Sequence, residues 1–254
     1  MKSLRGFLHR KRLERRLERP SVLVETAVPG TGVSVSFSVH TWIEYHHRAR
    51  DSYTGEPDMT EWLKTTLQPG DVLWDIGANV GAYAILAAKL CPGARVFAFE
   101  PFIPNLSHLW ENIVLNKVTA QVFPICAGLS NRTAPESLSV CDPRAGSAGH
   151  QVGETGGQLQ QGVIAVRGDD LHTLFGLPQP TLLKLDIDGL EVVAVEGLRQ
   201  TLRLPALRSM MIEVQVGKSE EPVQKACEEA GFQRLPSPQP HPTEGVFNAR
   251  FARV

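Results

Sequence analysis

The chain has 254 residues, of which 42% are hydrophobic and 21% charged, and its formal net charge is −1. This composition excludes a disordered or fibrous protein, and the length suffices for one large domain with its own core. No apolar stretch is long enough to predict a membrane span, and no apolar block follows the basic start as a secretory signal requires. The four cysteines are widely spaced and include no CxxC pair, which favours a reducing, cytoplasmic location.

Residues 1–20 form a basic segment with eight Lys or Arg and two Glu, so the rest of the chain is acidic. Leucines at helical spacing among the arginines predict a helix that ends at Pro20. This basic N-terminal helix could pack its leucines on the body, or it could make a peripheral contact with an anionic membrane surface. The acidic remainder argues against nucleic acid as a partner.

Residues 21–69 are predicted to form an N-terminal extension, with a strand where Val33 to Val39 alternate with polar residues and a helix around Trp62. From residue 70 to 254, strand-like apolar runs alternate with helical segments, which predicts a parallel sheet with helices on both faces. The predicted strands are DVLWDIG, RVFAFEP, AQVFPICAG, TLLKLDI, SMMIEVQ, FQRL and FNARFARV. A Gly-rich insertion near residues 143–162 is predicted to be a loop or a mobile hairpin.

A glycine-rich turn follows the first of these strands, in DVLWDIGANVG. The strand ends at Asp75, and Gly77 and Gly81 allow a tight turn in which bare backbone approaches a ligand. The spacing lacks the G-x-G-x-x-G of dinucleotide sites and the G-K-[ST] of phosphate loops, which disfavours an NAD-dependent oxidoreductase and an ATP site. The next strand ends at Glu100, where a carboxylate can accept hydrogen bonds from the ribose hydroxyls of an adenosine group.

These two motifs, together with K-x-D-x-D-G-x-E after a later strand, resemble the FkbM family of S-adenosylmethionine (SAM)-dependent methyltransferases. The resemblance extends from about Gly70 to Gln215 and keeps the order of the motifs. It implies a Rossmann-like class I methyltransferase fold, in which a seven-stranded, mostly parallel sheet with an antiparallel last strand carries helices on both faces. It also implies SAM as the cofactor and methyl transfer to a hydroxyl of a sugar, a glycolipid or another small metabolite.

Two other functions stay open at this point. A nucleic-acid or protein methyltransferase could be guided by the basic N-terminal helix, and would then lose activity when residues 1–20 are deleted. A non-catalytic protein could bind SAM without turnover, and Asp186→Ala would then change no activity. The acceptor and the oligomeric state are not readable from the sequence, because acceptor specificity would reside in the loops at residues 41–60 and 143–162.

The resemblance implies a set of cofactor-binding residues at the ends of the first two core strands: Asp75, Gly77, Ala78, Asn79, Gly81 and Glu100. Asp75 would lie near the methionine part of SAM, and Glu100 would hold the ribose. The side-chain amide of Asn79 can both donate and accept hydrogen bonds beside a zwitterionic ligand.

The catalytic candidates lie around the end of LLKLDI, because ligands of open α/β sheets sit beyond the carboxyl ends of the strands. Alternation puts Lys184, Asp186 and Asp188 on one side if the strand extends that far. The strand order that the family implies brings Glu213 next to Asp186. Two carboxylates in one pocket shift each other's pKa, so one of them could act as the general base. Lys184 could be their counter-ion, or could lower the basicity of Asp186 too far for that role.

Asp188 and Glu191 have two interpretations. They could contact the substrate, or Asp188 could cap the following helix while Glu191 favours the N-terminus of that helix. This chain has Asp188 where the family more often has Glu. A divalent cation on Asp186, Asp188 and Glu213 is conceivable from ligand chemistry, but no metal-ligand spacing supports it, so no metal is predicted.

Overall fold

The computed structural model describes residues 21–153, 159–237 and 242–253. The predicted basic N-terminal helix therefore lies outside the described residues. None of the helices in the described part combines the length and the apolar character needed to cross a bilayer. The division of the chain at residue 69 into an extension and a core domain stays a prediction.

The first elements are a hairpin and three helical segments: β1 (Val22–Ala27), β2 (Ser34–Val39), a π-helical segment (Glu44–Arg50), α1 (Ser52–Gly55) and α2 (Pro57–Thr66). β1 and β2 pair antiparallel, and β2 buries Val35 and Phe37. The alternation of apolar and polar residues in the sequence predicts β2, and the helix predicted around Trp62 corresponds to α2. β1 is not predicted by such alternation, because its neighbouring apolar residues Val22 and Leu23 are both exposed.

The next elements alternate between strands and helices: β3 (Val72–Ile76), α3 (Ala82–Leu90), β4 (Arg95–Phe99), α4 (Ile103–Leu115) and β5 (Val122–Ile125). Helix α3 is apolar nearly all round, since it is buried between the sheet and the N-terminal elements. It begins after Gly81, whose φ is +92°. A Cβ at Gly81 would lie 2.4 Å from Leu109 of α4, so glycine permits the close packing of these two helices.

A second sheet follows, with the order β6-β9-β7-β8. Its strands are β6 (Gly128–Ser130), β7 (Ala134–Val140), β8 (Gln151–Val152) and β9 (Leu159–Arg167). Residues 151–152 and 159–162 belong to these strands, where the sequence predicts a loop or a mobile hairpin. They are ordered by tertiary packing, because β7 and β9 pair along the whole of β7 and bury Leu138 and Val163 against Phe102.

The last elements are α5 (Gly168–Thr173), β10 (Leu182–Leu185), α6 (Glu191–Gly197), a 3-10 turn (Thr201–Arg203), β11 (Ser209–Gln215), α7 (Glu220–Glu229), β12 (Phe232–Arg234) and β13 (Val246–Arg253). The sequence predicts one helix from about Leu190 to Leu202, but α6 is shorter. The carboxylate of Asp169 accepts hydrogen bonds from the backbone N–H groups of Gln200 and Thr201, and so starts a separate 3-10 turn.

Seven strands form the central sheet in the order β12-β13-β11-β10-β3-β4-β5. β13 is antiparallel to both of its neighbours, and every other pair is parallel. This confirms the predicted seven-stranded, mostly parallel sheet with an antiparallel last strand. One buried apolar cluster covers each face of the sheet. The strand order reverses between β3 and β10, so their carboxyl ends open the crevice in which such sheets bind ligands.

Candidate active site

A cleft lies at the carboxyl edge of the central sheet and holds about 830 Å³ of empty space, including its open mouth. One cation and five acids make up its charged lining: Arg48, Glu56, Glu100, Asp186, Asp188 and Glu213. Such an acidic cleft favours a ligand that carries positive charge.

The turn after β3 brings backbone atoms to the wall of this cleft. Gly77 and Asn79 line it, and both adopt left-handed backbone, with φ of +80° and +51°. Gly77 is required for a second reason, since a Cβ there would lie 1.8 Å from the carbonyl oxygen of Asp186. Ala78 and Gly81 do not line the cleft. They can therefore affect ligand binding only by setting the conformation of the turn.

A buried lysine connects the turns after β3 and β10. Lys184 is only 2% exposed and lies beside Asp75 in the register of the two strands. Its Nζ is 3.2 Å from both Asp75 Oδ1 and Asp186 Oδ2, and donates to the carbonyl oxygen of Gly77 at 3.0 Å. Burial lowers the pKa of Lys184, but the surrounding carboxylates, first that of Asp186, raise it above its ordinary value. Lys184 is therefore placed as the counter-ion of Asp75 and Asp186 and not of Glu213, and its predicted effect on the basicity of Asp186 stays a prediction.

Asp75 lies behind the wall of the cleft. It is completely buried and does not line the empty space. Burial raises the pKa of Asp75, while the charge of Lys184 lowers it. The structure thus makes Asp75 the charge partner of Lys184, and its predicted proximity to the methionine part of SAM stays a prediction.

Glu100, at the end of β4, is fixed in orientation by the backbone around it. Its Oε2 accepts a hydrogen bond from the N–H of Asn79 at 2.8 Å, and its Oε1 accepts one from the N–H of Phe102 at 2.9 Å. Burial raises the pKa of Glu100 to about 7, although these two hydrogen bonds lower it. Each carboxylate oxygen keeps a further lone pair with which it can accept a hydrogen bond from a ligand hydroxyl.

The loop formed by residues 144–150 covers one side of the cleft and is tied down by two asparagines. Asn105 on α4 accepts from the N–H of Gly146 at 2.8 Å and donates to the carbonyl oxygen of Ser147 at 3.1 Å. Asn79 Nδ2 donates to the same carbonyl oxygen at 2.8 Å. The amide of Asn79 therefore holds this cleft loop, and its predicted contact with the cofactor stays a prediction.

The turn after β10 also contributes to the cleft loop. Strand β10 stops short of Asp188, which has a φ of +55°, so the predicted alternation does not reach it. Asp188 Oδ2 accepts a hydrogen bond from the N–H of Gly149 at 2.7 Å. Asp188 does not cap α6, so the capping interpretation is wrong. Glu191 is buried and accepts from the N–H of Gly189 at 2.9 Å, which supports its local role at the start of α6.

Two acids border both this cleft and a second, larger cleft. Glu56, which precedes α2, and Glu213 on β11 line both spaces. Burial, followed by the charges of Asp186 and other nearby acids, raises the pKa of Glu213 to about 8. Within the described part of the chain, the Glu213 carboxylate has no hydrogen-bond or ion-pair partner. Glu56 Oε2, by contrast, accepts a hydrogen bond from the hydroxyl of Tyr83 at 2.9 Å.

The structure brings six of the residues predicted from the sequence into the wall of one cleft: Gly77, Asn79, Glu100, Asp186, Asp188 and Glu213. Arg48, Glu56 and Asn105 also line it and were not predicted. For Arg48 and Glu56 no local pattern exists, because both belong to the N-terminal elements and reach the cleft only through the fold.

A signal for Asn105 was present in the sequence of α4. Asn105, Asn112 and Asn116 recur on the same helical face as the buried Leu109 and Ile113. Amides on an apolar helical face must find partners when they are buried. Asn112 and Asn116 bind the backbone of β2, at Ser38 and Ser36, whereas Asn105 binds the cleft loop.

The strand order, the glycine turn after β3 and the acidic residue after β4 define the class I methyltransferase fold. The fold is similar to that of precorrin-6y C5,15-methyltransferase from Geobacter metallireducens GS-15, with a TM-score of 0.52 and 13% identity, covering 86% of this chain and 93% of that one. It is also similar to the structure of methyltransferase FkbM from Methylobacillus flagellatus KT, with a TM-score of 0.51 and 15% identity, covering 80% of this chain and 52% of that one.

Residues 75–235, more than half of the chain, match the model of the methyltransferase FkbM domain. The chain belongs to this family. It is similar in sequence to hexuronic acid methyltransferase AglP from Haloferax volcanii, with 29% identity over 200 residues that cover 79% of this chain and 78% of the relative. The protein is therefore an enzyme that transfers methyl groups.

Proposed function

We propose that this enzyme transfers a methyl group from SAM to a hydroxyl of a sugar or another small, uncharged metabolite. The observation that carries this proposal is the carboxylate of Glu213, which stands at the junction of two clefts and has no hydrogen-bond or ion-pair partner among the described residues. One cleft has the features of a SAM site, and the other offers space for the acceptor.

The first cleft suits SAM in charge and in shape. SAM carries a positive sulfonium and an ammonium group, and the cleft is lined by five acids and a single arginine. The backbone of Gly77 lies open to it. Glu100 is held where its oxygens can accept the hydrogen bonds of the ribose.

The second cleft is the proposed entrance for the acceptor. It holds about 1,690 Å³ of empty space, open mouth included, and its walls combine Pro57 and Phe247 with Asp58 and Asn248. Aromatic and proline surfaces suit the apolar face of a sugar ring, while amide and carboxylate groups suit its hydroxyls. The relative from Haloferax volcanii is named for a hexuronic acid, which supports a carbohydrate acceptor but not its lack of charge.

The acidity of the junction argues for a neutral acceptor group. Glu56 and Glu213 line both clefts where they meet, Asp186 lines the first cleft, and a carboxylate acceptor would be repelled by these acids. A hydroxyl carries no such penalty, but it must lose a proton when it attacks. An unpaired carboxylate is the group that can take this proton.

Bound SAM would supply an electrophilic methyl group. The residues of the chain would do the rest: the two clefts align the acceptor oxygen with that methyl group, Glu213 accepts the hydroxyl proton, and Lys184 holds the Asp186 carboxylate in place to orient the acceptor. Because the pKa of Glu213 is about 8, the base form increases as the pH rises, so the rate should rise with pH up to about 8.

Calorimetric titration with SAM and, separately, with NAD tests the cofactor. We expect SAM to bind and NAD not to bind, and we expect Glu100→Gln to weaken SAM binding by about tenfold through one lost charged hydrogen-bond acceptor. Glu61→Gln, on the exposed face of α2, is the matched control and should bind SAM normally. Absence of SAM binding by the folded protein would refute the proposed cofactor.

A methyl-transfer assay with a panel of methyl glycosides and their uronic acid counterparts tests the acceptor. We expect transfer to the neutral sugars, and we expect Glu213→Gln to lower the turnover number by about a hundredfold or more while SAM affinity is kept. Preference for the uronic acids, or full activity of Glu213→Gln, would contradict the proposed acceptor and base.

The cellular location is a separate proposal. All four cysteines are unpaired, two of them buried and two exposed. We infer a reducing compartment, the cytoplasm, because exposed thiols persist there. Fractionation of the cells that make this protein tests that inference, and recovery with exported proteins would contradict it.

A further inference from the structure

Three metal-ligating side chains meet at a place that neither cleft uses. His40 follows β2, and His108 and Glu111 lie one turn apart on α4. One possible ligand atom from each side chain lies within 4.8 Å of the other two, and in the described residues no other cluster of this kind occurs. None of the three residues lines either cleft.

The contacts within this cluster place the ligand atoms side by side. His40 Nε2 is 2.9 Å from Glu111 Oε2, and the rings of His40 and His108 are 4.3 Å apart between centroids. Ligand atoms bound to one zinc ion at about 2.0–2.2 Å stand roughly 3–4 Å from each other. Small rotations of the three side chains would therefore suffice to surround an ion.

The neighbouring groups orient the cluster as outer partners orient metal ligands. His108 Nδ1 lies 2.5 Å from Oε1 of Glu44, which is 2% exposed, so Nδ1 carries the proton of the neutral ring and Nε2 is the nitrogen left for a metal ion. Ser38 donates its hydroxyl hydrogen to Glu111 Oε1 at 2.7 Å, which leaves Oε2 for a ligand. In metal sites, a carboxylate that accepts a hydrogen bond from a ligand histidine, or a hydroxyl that donates one to a ligand carboxylate, fixes the orientation of that ligand.

We propose that His40, His108 and Glu111 bind a divalent transition-metal ion, best matched by Zn²⁺. Two imidazoles and one carboxylate suit Zn²⁺ better than Mg²⁺ or Ca²⁺, which take oxygen ligands. His40 and Glu111 are accessible from solvent, so an ion can enter and water can complete its coordination.

The ion would join the N-terminal hairpin to α4. His40 belongs to the end of the hairpin, whereas the other two ligands belong to the helix that follows β4. Glu44 extends this connection, because its Oε2 accepts hydrogen bonds from the backbone N–H groups of His40 and Thr41. A Cβ at Gly146 would lie 2.7 Å from Glu44, so the cleft loop packs directly on the same glutamate. The proposed metal site is thus structural, and it supports the cleft loop through Glu44.

Titration of the full chain with ZnCl₂ after removal of metals by a chelator tests the site. Calorimetry should show about one ion per chain, with release of protons that makes the measured heat depend on the buffer. Zn²⁺ should raise the midpoint of thermal unfolding, and a chelator should reverse the rise. Replacement by Co²⁺ should give the visible absorption of a four-coordinate ion.

The variants His40→Gln and Glu111→Gln should each weaken Zn²⁺ binding at least tenfold, and both side chains are exposed enough for the variants to fold. The double variant His46→Gln/His47→Gln is the matched control, since it removes two nearby histidines outside the cluster and should bind Zn²⁺ normally. Binding that is equally strong in all three variants, or no ordered binding in the wild type, would overturn the proposal.

Discussion

β3 and β10 are neighbours in the central sheet, and each ends in a turn that combines aspartate with glycine. The two aspartates share one partner, since Lys184 Nζ lies 3.2 Å from a carboxylate oxygen of each. Their environments nevertheless differ sharply. The side chain of Asp75 is 1% exposed, whereas that of Asp186 is 26% exposed and lines the cleft.

The difference follows from where each aspartate stands relative to the end of its strand. Asp75 is still part of β3 and pairs in register with Lys184, two residues before the position of Asp186 along β10. Two residues of strand correspond to about 6–7 Å. That distance separates the interior of the sheet from its edge. Aspartate is therefore a buried structural charge near the end of β3, at Asp75, and a candidate catalytic group in the turn after β10, at Asp186.

Removal of the shared lysine should have the largest effect. Lys184→Met leaves the carboxylate of Asp75 buried without its counter-ion, and should lower the free energy of unfolding by about 3–5 kcal/mol. The double variant Lys184→Met/Asp75→Asn removes both buried charges and should recover most of that loss. Denaturant unfolding of both proteins measures the difference, and equal stability of the two would show that Asp75 is not what Lys184 neutralises.

The two turns should also differ in their tolerance of a side chain. Gly77→Ala would place a Cβ 1.8 Å from the backbone of Asp186, so its destabilisation should exceed the roughly 1–2 kcal/mol that left-handed backbone alone costs. Gly189→Ala is the control, because its φ is +100° but the nearest atom to a Cβ would be 3.9 Å away. Thermal unfolding of both variants should show the larger shift for Gly77→Ala; the reverse order would contradict the close packing of the two turns.

The exposed aspartate should matter for activity rather than stability. Asp186→Asn should lower the turnover number about a hundredfold through loss of acceptor orientation, with little change in unfolding. Asp188→Asn, in the same turn, loses only part of its bond to the cleft loop and should lower activity much less. The acceptor assay described above measures both. Similar losses in the two variants would mean that the turn acts as a unit.

Glu213 should affect the pH dependence of stability. Its pKa is raised from about 4.3 in unfolded chains to about 8 in the folded protein, so the folded state holds the proton more tightly. The stability that this proton contributes is present at low pH and is lost as the pH rises through about 8. Glu213→Gln should therefore unfold at a higher temperature than the wild type above that pH. Parallel curves for both proteins would place the ionisation elsewhere.

The residues next to the core strands were the ones that the sequence could reveal. The strands that end at Asp75 and Glu100, the glycine turn and the acidic end of LLKLDI are contiguous patterns. Their order along the chain carried the resemblance to the FkbM family, and that resemblance implied the seven-stranded sheet. The proximity of Glu213 to Asp186 also followed, because the family's strand order makes β10 and β11 neighbours. These features depend on residues that are close in sequence or on the sheet as a whole.

The side-chain partners were not predictable in the same way. The bond of Asn79 to Ser147 of the cleft loop was not expected, although Asn79 lines the cleft and its contact with the cofactor stays a prediction, and Asp188 binds Gly149 instead of capping a helix. Both partners come from a Gly-rich segment without a readable pattern. The choice of a hydrogen-bond partner depends on which segment packs across the cleft, and that packing is absent from the local sequence.

The sequence by itself determined the alternation of strands and helices and the position of the glycine turn, because local backbone preference and apolar periodicity encode them. The expected cofactor followed only from the resemblance of three motifs to a known family. Only the tertiary structure decided that Lys184 neutralises two aspartates, that Glu56 from the N-terminal elements joins Glu213 at the junction of two clefts, and that Asp75 is buried while Asp186 is not. Charge and burial depend on residues that are distant in the chain and meet only through strand register and loop packing.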